Sequence, residues 1–299
     1  MLLKHMKNKK NKYINIWGQK LLINNINNFC PYLIKERKKM NYWLWLASIE
    51  MLGSIRTKKL LSFFNEPENI YNASKKDIML INGIGEKVCE KIIESKMDVN
   101  KIKILEEVMN INDIKLLKYI DSDYPDNLKK IYDPPMILFY KGNINLLKNK
   151  SIAVIGSRKP TEYGIKMATQ IGKDISNKGI NVVSGLATGI DAYAHFGSLL
   201  ANGNTIAILG NGIDQIYPKE NEALYKNIAK KGLILSEYII GTKPSPMNFP
   251  ARNRIISGIS DDIIVVEAAS KSGTIITVDY ALDQGKTVYA VPRTNKFST

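Results

Sequence analysis

The segment Ser151-Ile152-Ala153-Val154-Ile155-Gly156-Ser157-Arg158 decides the fold. Four apolar residues in succession, three of them β-branched, show no polar alternation, so a strand here must be covered on both faces. The Gly-Ser-Arg that follows supplies a tight turn and a cation where the strand ends. The same pattern recurs downstream. Short apolar runs at residues 152–155, 181–183, 205–209, 233–235, 263–266 and 287–291 begin every 24–30 residues, which is the length of one strand-helix-strand unit. The spacing predicts an α/β fold with a doubly wound parallel sheet. Upstream, Asp133-Pro134-Pro135 cannot continue a helix and marks irregular connecting structure. The expected division lies near residue 118, with a helical domain over 40–117 and the sheet domain over 118–299.

The chain has 299 residues, 44% of them hydrophobic and 24% charged, which is enough apolar material for one large and one small core. No stretch approaches the length of a bilayer span, and the N-terminus has no apolar leader, so a soluble, cytoplasmic protein is expected. Cys30 and Cys89 stand in unrelated surroundings and offer neither a disulfide framework nor a zinc site within the chain. His5 and His195 are the only histidines, which disfavours triad hydrolases and multi-histidine metal sites. The net charge is +15, of which the first forty residues carry +9. Residues 1–39 therefore read as a basic Lys/Asn-rich extension, a tail or a mis-assigned start, and a polyanionic partner has to be argued from local clusters.

In the helical domain, Leu80-Ile81-Asn82-Gly83-Ile84-Gly85-Glu86-Lys87-Val88 has the form of a helix-hairpin-helix turn. Two readings stay open: a plain inter-helix turn, or a backbone contact to phosphate.

Open parallel sheets bind ligands beyond the carboxyl ends of their strands. At that edge Ser157, Ser184 and Thr188 offer small hydroxyls, Gly156, Gly185 and Gly189 let the backbone approach a ligand, and helix-start amides after Gly156 and Gly185 could meet an anion. Arg158, Lys219, Lys243, Arg252 and Arg254 bring positive charge on or near it. The chain contains neither a G-x-G-x-x-G nor a G-x-x-x-x-G-K-[ST] loop, so no nucleotide cofactor is expected.

Gly156-Ser157-Arg158, the run 184–191 with Ala194-His195, Tyr217-Pro218-Lys219 with Asn221, residues 235–238, and above all residues 249–258 resemble the DNA-processing protein A (DprA/Smf) family. Asp123-Tyr124-Pro125 and residues 133–142 also match it, and the similarity spans about residues 40–292. The resemblance implies an extended Rossmann-like domain behind a small helical, sterile-alpha-motif-like domain. It also implies a non-enzymatic protein that binds single-stranded DNA during natural transformation and loads a RecA-type recombinase onto it. On this reading the DNA ligands are Gly156, Ser157, Arg158, Ser184, Gly185, Gly189, Lys219, Lys243, Arg252 and Arg254, although Arg252 could instead brace the fold.

Other residues carry plainer expectations. His195 packs in the core, Asp191 caps or braces the loop before it, and Glu237 and Glu267 position neighbouring groups instead of forming an acid/base pair. One or two of Tyr163, Tyr217, Tyr238 and Phe249 stack on bases. The segment before Met40 and the stretch after Pro292 depart from the family pattern. The expectation is a C-terminally truncated chain in which homodimerisation is in doubt. A rival of another class is a Rossmann-type enzyme that cleaves nucleoside monophosphates, with Glu267 beside Ser272-Gly273-Thr274.

Overall fold

The computed structural model describes residues 40–269 and 272–292. The expected basic extension over 1–39, with His5 and Cys30, and the stretch after Pro292 lie outside the described residues. From Asn41 onward the chain forms one compact unit.

Six helices come first: α1 (Tyr42–Ala47), α2 (Gly53–Phe64), α3 (Pro67–Asn72), α4 (Lys75–Met79), α5 (Glu86–Ser95) and α6 (Val99–Ile111). Their starts are written in the sequence. The Asn41 and Asp98 side chains accept from the Leu44 and Lys101 amides, and Ser74 with Asp77 forms a capping box on α4. Leu44, Trp45, Leu60, Ile70, Ile78 and Ile92 are fully buried and form the interior of this bundle. The Trp45 indole meets its need for an acceptor by donating to Ser95 Oγ at 3.0 Å. Between α4 and α5 the Leu80–Gly85 turn is braced from α2, because Lys59 Nζ donates to Asn82 O and Arg56 Nε to Gly83 O. Cys89 is buried, and burial raises its thiol pKa, which keeps it an unreactive thiol.

The remainder is an eight-stranded sheet flanked by helices. The strands are β1 (Lys115–Lys118), β2 (Ile137–Gly142), β3 (Ser151–Ile155), β4 (Asn181–Ser184), β5 (Thr205–Leu209), β6 (Leu233–Ser236), β7 (Asp262–Val265) and β8 (Thr287–Ala290). They lie in the order β1-β2-β6-β5-β4-β3-β7-β8. The six strands β3 to β8 are parallel, as expected. The sheet also carries an antiparallel edge, since β2 runs against β6 and β1 against β2. In sequence order the helices of this part are α7 (Asp126–Lys129), α8 (Glu162–Asn177), α9 (Ile190–Leu200), α10 (Glu222–Lys231), α11 (Asn248–Ile259) and α12 (Gly273–Asp283).

Both faces of the sheet are dry at its centre, in β3 to β6. Ala153, Ile155 and Val183 join a core with Ile255, Ile256 and Ile259 of α11 and Ala281 of α12. Their neighbours Val154 and Val182 turn the other way, onto Ala168 and Ile175 of α8 and Ile190 and Ala194 of α9. Two-sided burial is why the strands read as unbroken apolar runs. Where α8 crosses α9, a Cβ on Gly172 would strike Ala194 O and one on Gly197 would strike Thr169 O, so these helices touch backbone to backbone.

The strand order fixes where a ligand can sit. After β3 the chain builds outward on one side through β4, β5 and β6, then returns to place β7 and β8 on the other. The loops leaving β3 and its neighbours therefore diverge at β3, and the crevice they leave is the topological switch point of the sheet. Gly156-Ser157-Arg158 occupies it.

Candidate nucleic-acid interface

Arg158 is exposed at the switch point, and among the described residues it forms no ion pair. Its guanidinium lies over the Phe249 ring at 5.5 Å from the centroid. Phe249 in turn stacks on Tyr217 at 5.5 Å with 24° between the planes. Gly210, at the end of β5, leaves room for this arrangement, because a Cβ there would fall 2.6 Å from Phe249 Cδ1. The result is a cation and two aromatic rings in sequence along the rim, with Tyr217 43% exposed. Such a platform can take stacked planar groups while its cation takes an anion. Lys219 follows Tyr217 by two residues in an exposed turn, and Lys243 is exposed in the loop between β6 and α11.

The glycine-rich loops shape this rim. Gly189 adopts φ +82°, and a Cβ there would run into Ser157 O and lie 2.8 Å from the Arg158 carbonyl carbon. Only glycine lets the β4–α9 loop lie directly under the Arg158 loop. The Ile190 amide donates to Ser157 O at 3.0 Å, joining the two loops. Asn221 holds the same loop from the other side by donating to Leu186 O and Ala187 O.

Several residues expected to contact an anion are engaged internally. The Ser184 hydroxyl donates to Val154 O inside the sheet and is fully buried. The Gly185 amide donates to Asp191 Oδ2 at 3.1 Å, so the loop after β4 has a carboxylate of its own where a phosphate was expected. The Ser157 hydroxyl accepts from the Lys159 amide at 3.1 Å and tightens its own turn. At the start of α8, Glu267 plays the same part. Its carboxylate accepts from the Thr161 amide at 2.9 Å and from the Thr161 hydroxyl. Internal acids thus take the Thr161, Gly185 and Ala187 amides of these two loops.

Arg252 and Arg254 require the largest correction. Arg252 is 4% exposed, and its Nη1 donates to Gly185 O and Ile208 O. Burial pulls its pKa down to about 10 while Asp191 acts the other way, so it stays charged near neutrality as an internal tie between β4, β5 and α11. Arg254 is equally buried and grips both Glu237 oxygens, at 2.7 and 2.8 Å, with Asp133 Oδ2 2.8 Å from its Nε. Burial pushes the Glu237 carboxyl up and the arginine draws it back. Both arginines are buried on α11, Arg252 toward Gly185 and Ile208 and Arg254 toward Glu237 and Asp133. They hold the fold and are not placed as phosphate ligands. Glu237 and Glu267 each position a neighbour, which is the role expected of them.

His195 is fully buried. The Thr205 hydroxyl donates to Val182 O and therefore accepts from His195 Nδ1, at 2.6 Å, which leaves Nε2 an unpartnered acceptor. Burial first, then Arg252, lowers its pKa to about 3. Among the expected stackers, Tyr163 and Tyr238 have their hydroxyls tied to Pro292 O and Asn248 O, whereas Tyr217 and Phe249 form the rim pair. No group of three or more potential metal-ligating side chains occurs among the described residues, and no helix there is long and apolar enough to cross a membrane.

A helical bundle followed by a Rossmann-like domain with a cation-aromatic rim at its switch point defines the structural class. The sequence model for "DNA recombination-mediator protein A" matches residues 115–299, and the chain belongs to that family. Protein Smf of Synechocystis sp. is 40% identical over 255 residues, covering 84% of this chain and 64% of that protein. The DNA processing protein DprA of Bacillus subtilis is 48% identical over 172 residues, covering 57% and 58%. The chain thus spans about three fifths of the length of the curated relatives it matches. Among solved structures, DprA of Streptococcus pneumoniae superposes with a TM-score of 0.75 at 35% identity, covering 86% of this chain and 88% of that one. DprA of Helicobacter pylori, whose structure is described as giving insights into a single-stranded DNA binding mode, superposes at 0.56 with 31% identity, covering 61% and 82%.

Proposed function

We propose that this chain binds single-stranded DNA along the rim at the carboxyl ends of β3, β4 and β5, protects it, and passes it to a RecA-type recombinase. It acts in the cytoplasm as a mediator and not as an enzyme. The observation that carries this reading is the Arg158–Phe249–Tyr217 stack, a cation without a carboxylate partner coupled to two rings at the switch point. Single-strand binders combine a positive track for the backbone with aromatic faces that accept any base. Lys219 and Lys243 extend the positive track, and Gly156, Ser157, Gly185 and Gly189 set the loop backbone that presents Arg158. The H. pylori relative, described by its single-stranded DNA binding mode, supports the same assignment.

Titration of a fluorescent oligothymidylate against the full chain tests it. Arg158→Ala is expected to weaken binding about 10- to 100-fold, the range for one charge-assisted hydrogen bond of ~1.5–3 kcal/mol. An unchanged affinity would sink the proposal. Mass measurement of the free and bound protein reads the homodimer in the same sample.

The competing reading, cleavage of nucleoside monophosphates, needs Glu267 free beside residues 272–274. Here that carboxylate is engaged by Thr161 and packed against Gly164, and Thr274 is buried. Release of free base from nucleoside monophosphates would revive it.

A further inference from the structure

The helices α9 and α10 do not close on each other. A cavity of about 620 Å³ runs between them, walled by Tyr193, Phe196 and Leu200 of α9 and by Leu224 and Asn227 of α10. Phe196 and Leu200 are 47% and 51% exposed, an unusual position for large apolar side chains flanking a cleft. One end of this groove opens at Thr188 and Gly189. That is the loop on which the Arg158 backbone rests, so the groove begins where the rim ends. Asn221, also in the lining, pins the loop there through its bonds to Leu186 O and Ala187 O.

We propose that the groove is a nucleobase-binding extension of the rim, taking the bases of the strand next to the phosphate held by Arg158. The lining chooses the occupant. The lining is mostly apolar and its two charges, Glu220 and Lys231, sum to zero, so it suits an uncharged, flat, largely apolar group with polar edges better than a phosphate. A nucleobase has that character: Tyr193 and Phe196 offer rings for stacking, and the Asn227 amide offers donors and an acceptor. The sugar-phosphate chain stays outside, near Lys219 beside the mouth and Lys231 in the lining at the end of α10. The 11 residues of α9 span ~16 Å at ~1.5 Å per residue, which is about five bases at the ~3.4 Å stacking repeat of a strand.

This inference rests on the rim reading, and the experiment separates the two. Phe196 is half exposed, so Phe196→Ala leaves the core intact, and Phe196→Trp restores an aromatic face. Full-chain binding is measured by fluorescence anisotropy with a 20-nucleotide oligothymidylate and with a strand of equal length that carries abasic sites outside a short central block. Phe196→Ala is expected to weaken the thymidylate about tenfold and the abasic strand hardly at all, with Phe196→Trp recovering the loss. Unchanged thymidylate affinity in Phe196→Ala, while Arg158→Ala still weakens binding, overturns the groove and leaves an apolar protein segment as its occupant. Equal loss on both strands overturns it as well, because base stacking would then not be its role. Arg158→Ala without effect defeats the rim alone, and the groove is then judged by the Phe196 variants.

Discussion

Arg158 and the pair Arg252 and Arg254 lie at the same edge of the same sheet and have opposite lives. Arg158 ends a strand, stands in solvent and rests on Phe249. The other two are buried on α11, one tied to carbonyls of neighbouring loops and the other clamped by Glu237 and Asp133. The same side chain is left without an ion pair in the first case and serves architecture in the second, and the difference is whether an acid or a carbonyl already satisfies it. Arg254 is bonded through all three of its nitrogens and Arg252 through Nε and Nη1.

That contrast can be broken by experiment. The largest effect is expected from Arg254→Ala, which strands the partly buried Glu237 carboxylate and should cost about 3 kcal/mol of stability. Urea unfolding measures it, and a loss under ~1 kcal/mol would show that the pair does not brace the fold. Arg158→Ala should invert the pattern, with stability unchanged within ~0.5 kcal/mol and single-strand affinity down by roughly 1.5–3 kcal/mol. A smaller effect comes from His195. Its folded pKa of about 3 lies below the ordinary 6.5, so between these values the unfolded chain takes up a proton that the folded chain refuses. Stability present above pH 6.5 is therefore lost as pH falls, at up to about 1.4 kcal/mol per pH unit from this residue. The slope between pH 6.5 and 5 should be shallower in His195→Asn by that amount, and equal slopes would show that the ring is not held neutral. The smallest change is expected from Lys219→Ala, where one lost phosphate contact lowers the log–log salt dependence of binding by about 0.7 and leaves unfolding untouched.

The parallel strands were legible because double-sided burial writes itself as unbroken apolar residues. The run at 205–209 coincides with β5, and the others fall within a residue of their strands. β1 escaped detection because Lys115-Leu116-Leu117-Lys118 is a short edge strand whose lysines protect it from further pairing, which leaves little periodicity to read. β2 follows Pro134-Pro135 closely and read as connecting structure. In the candidate site, the exposed position of Arg158 was legible from its place after β3. Arg252 and Arg254 were not, because a sequence shows that arginines follow Phe249-Pro250-Ala251 without showing which face of the helix turns inward. Their partners Glu237 and Asp133 are distant in the chain. The groove between α9 and α10 left only a faint trace, Tyr193 and Phe196 three residues apart, a spacing that also suits ordinary core packing.

Glu267 at the start of α8 and Asp191 beneath the loop after β4 have one more effect. Each carboxylate pins loop amides through its own oxygens, so the backbone around Arg158 is fixed by bonds that involve no solvent-facing cation, and the shape of the rim is set in advance of any ligand.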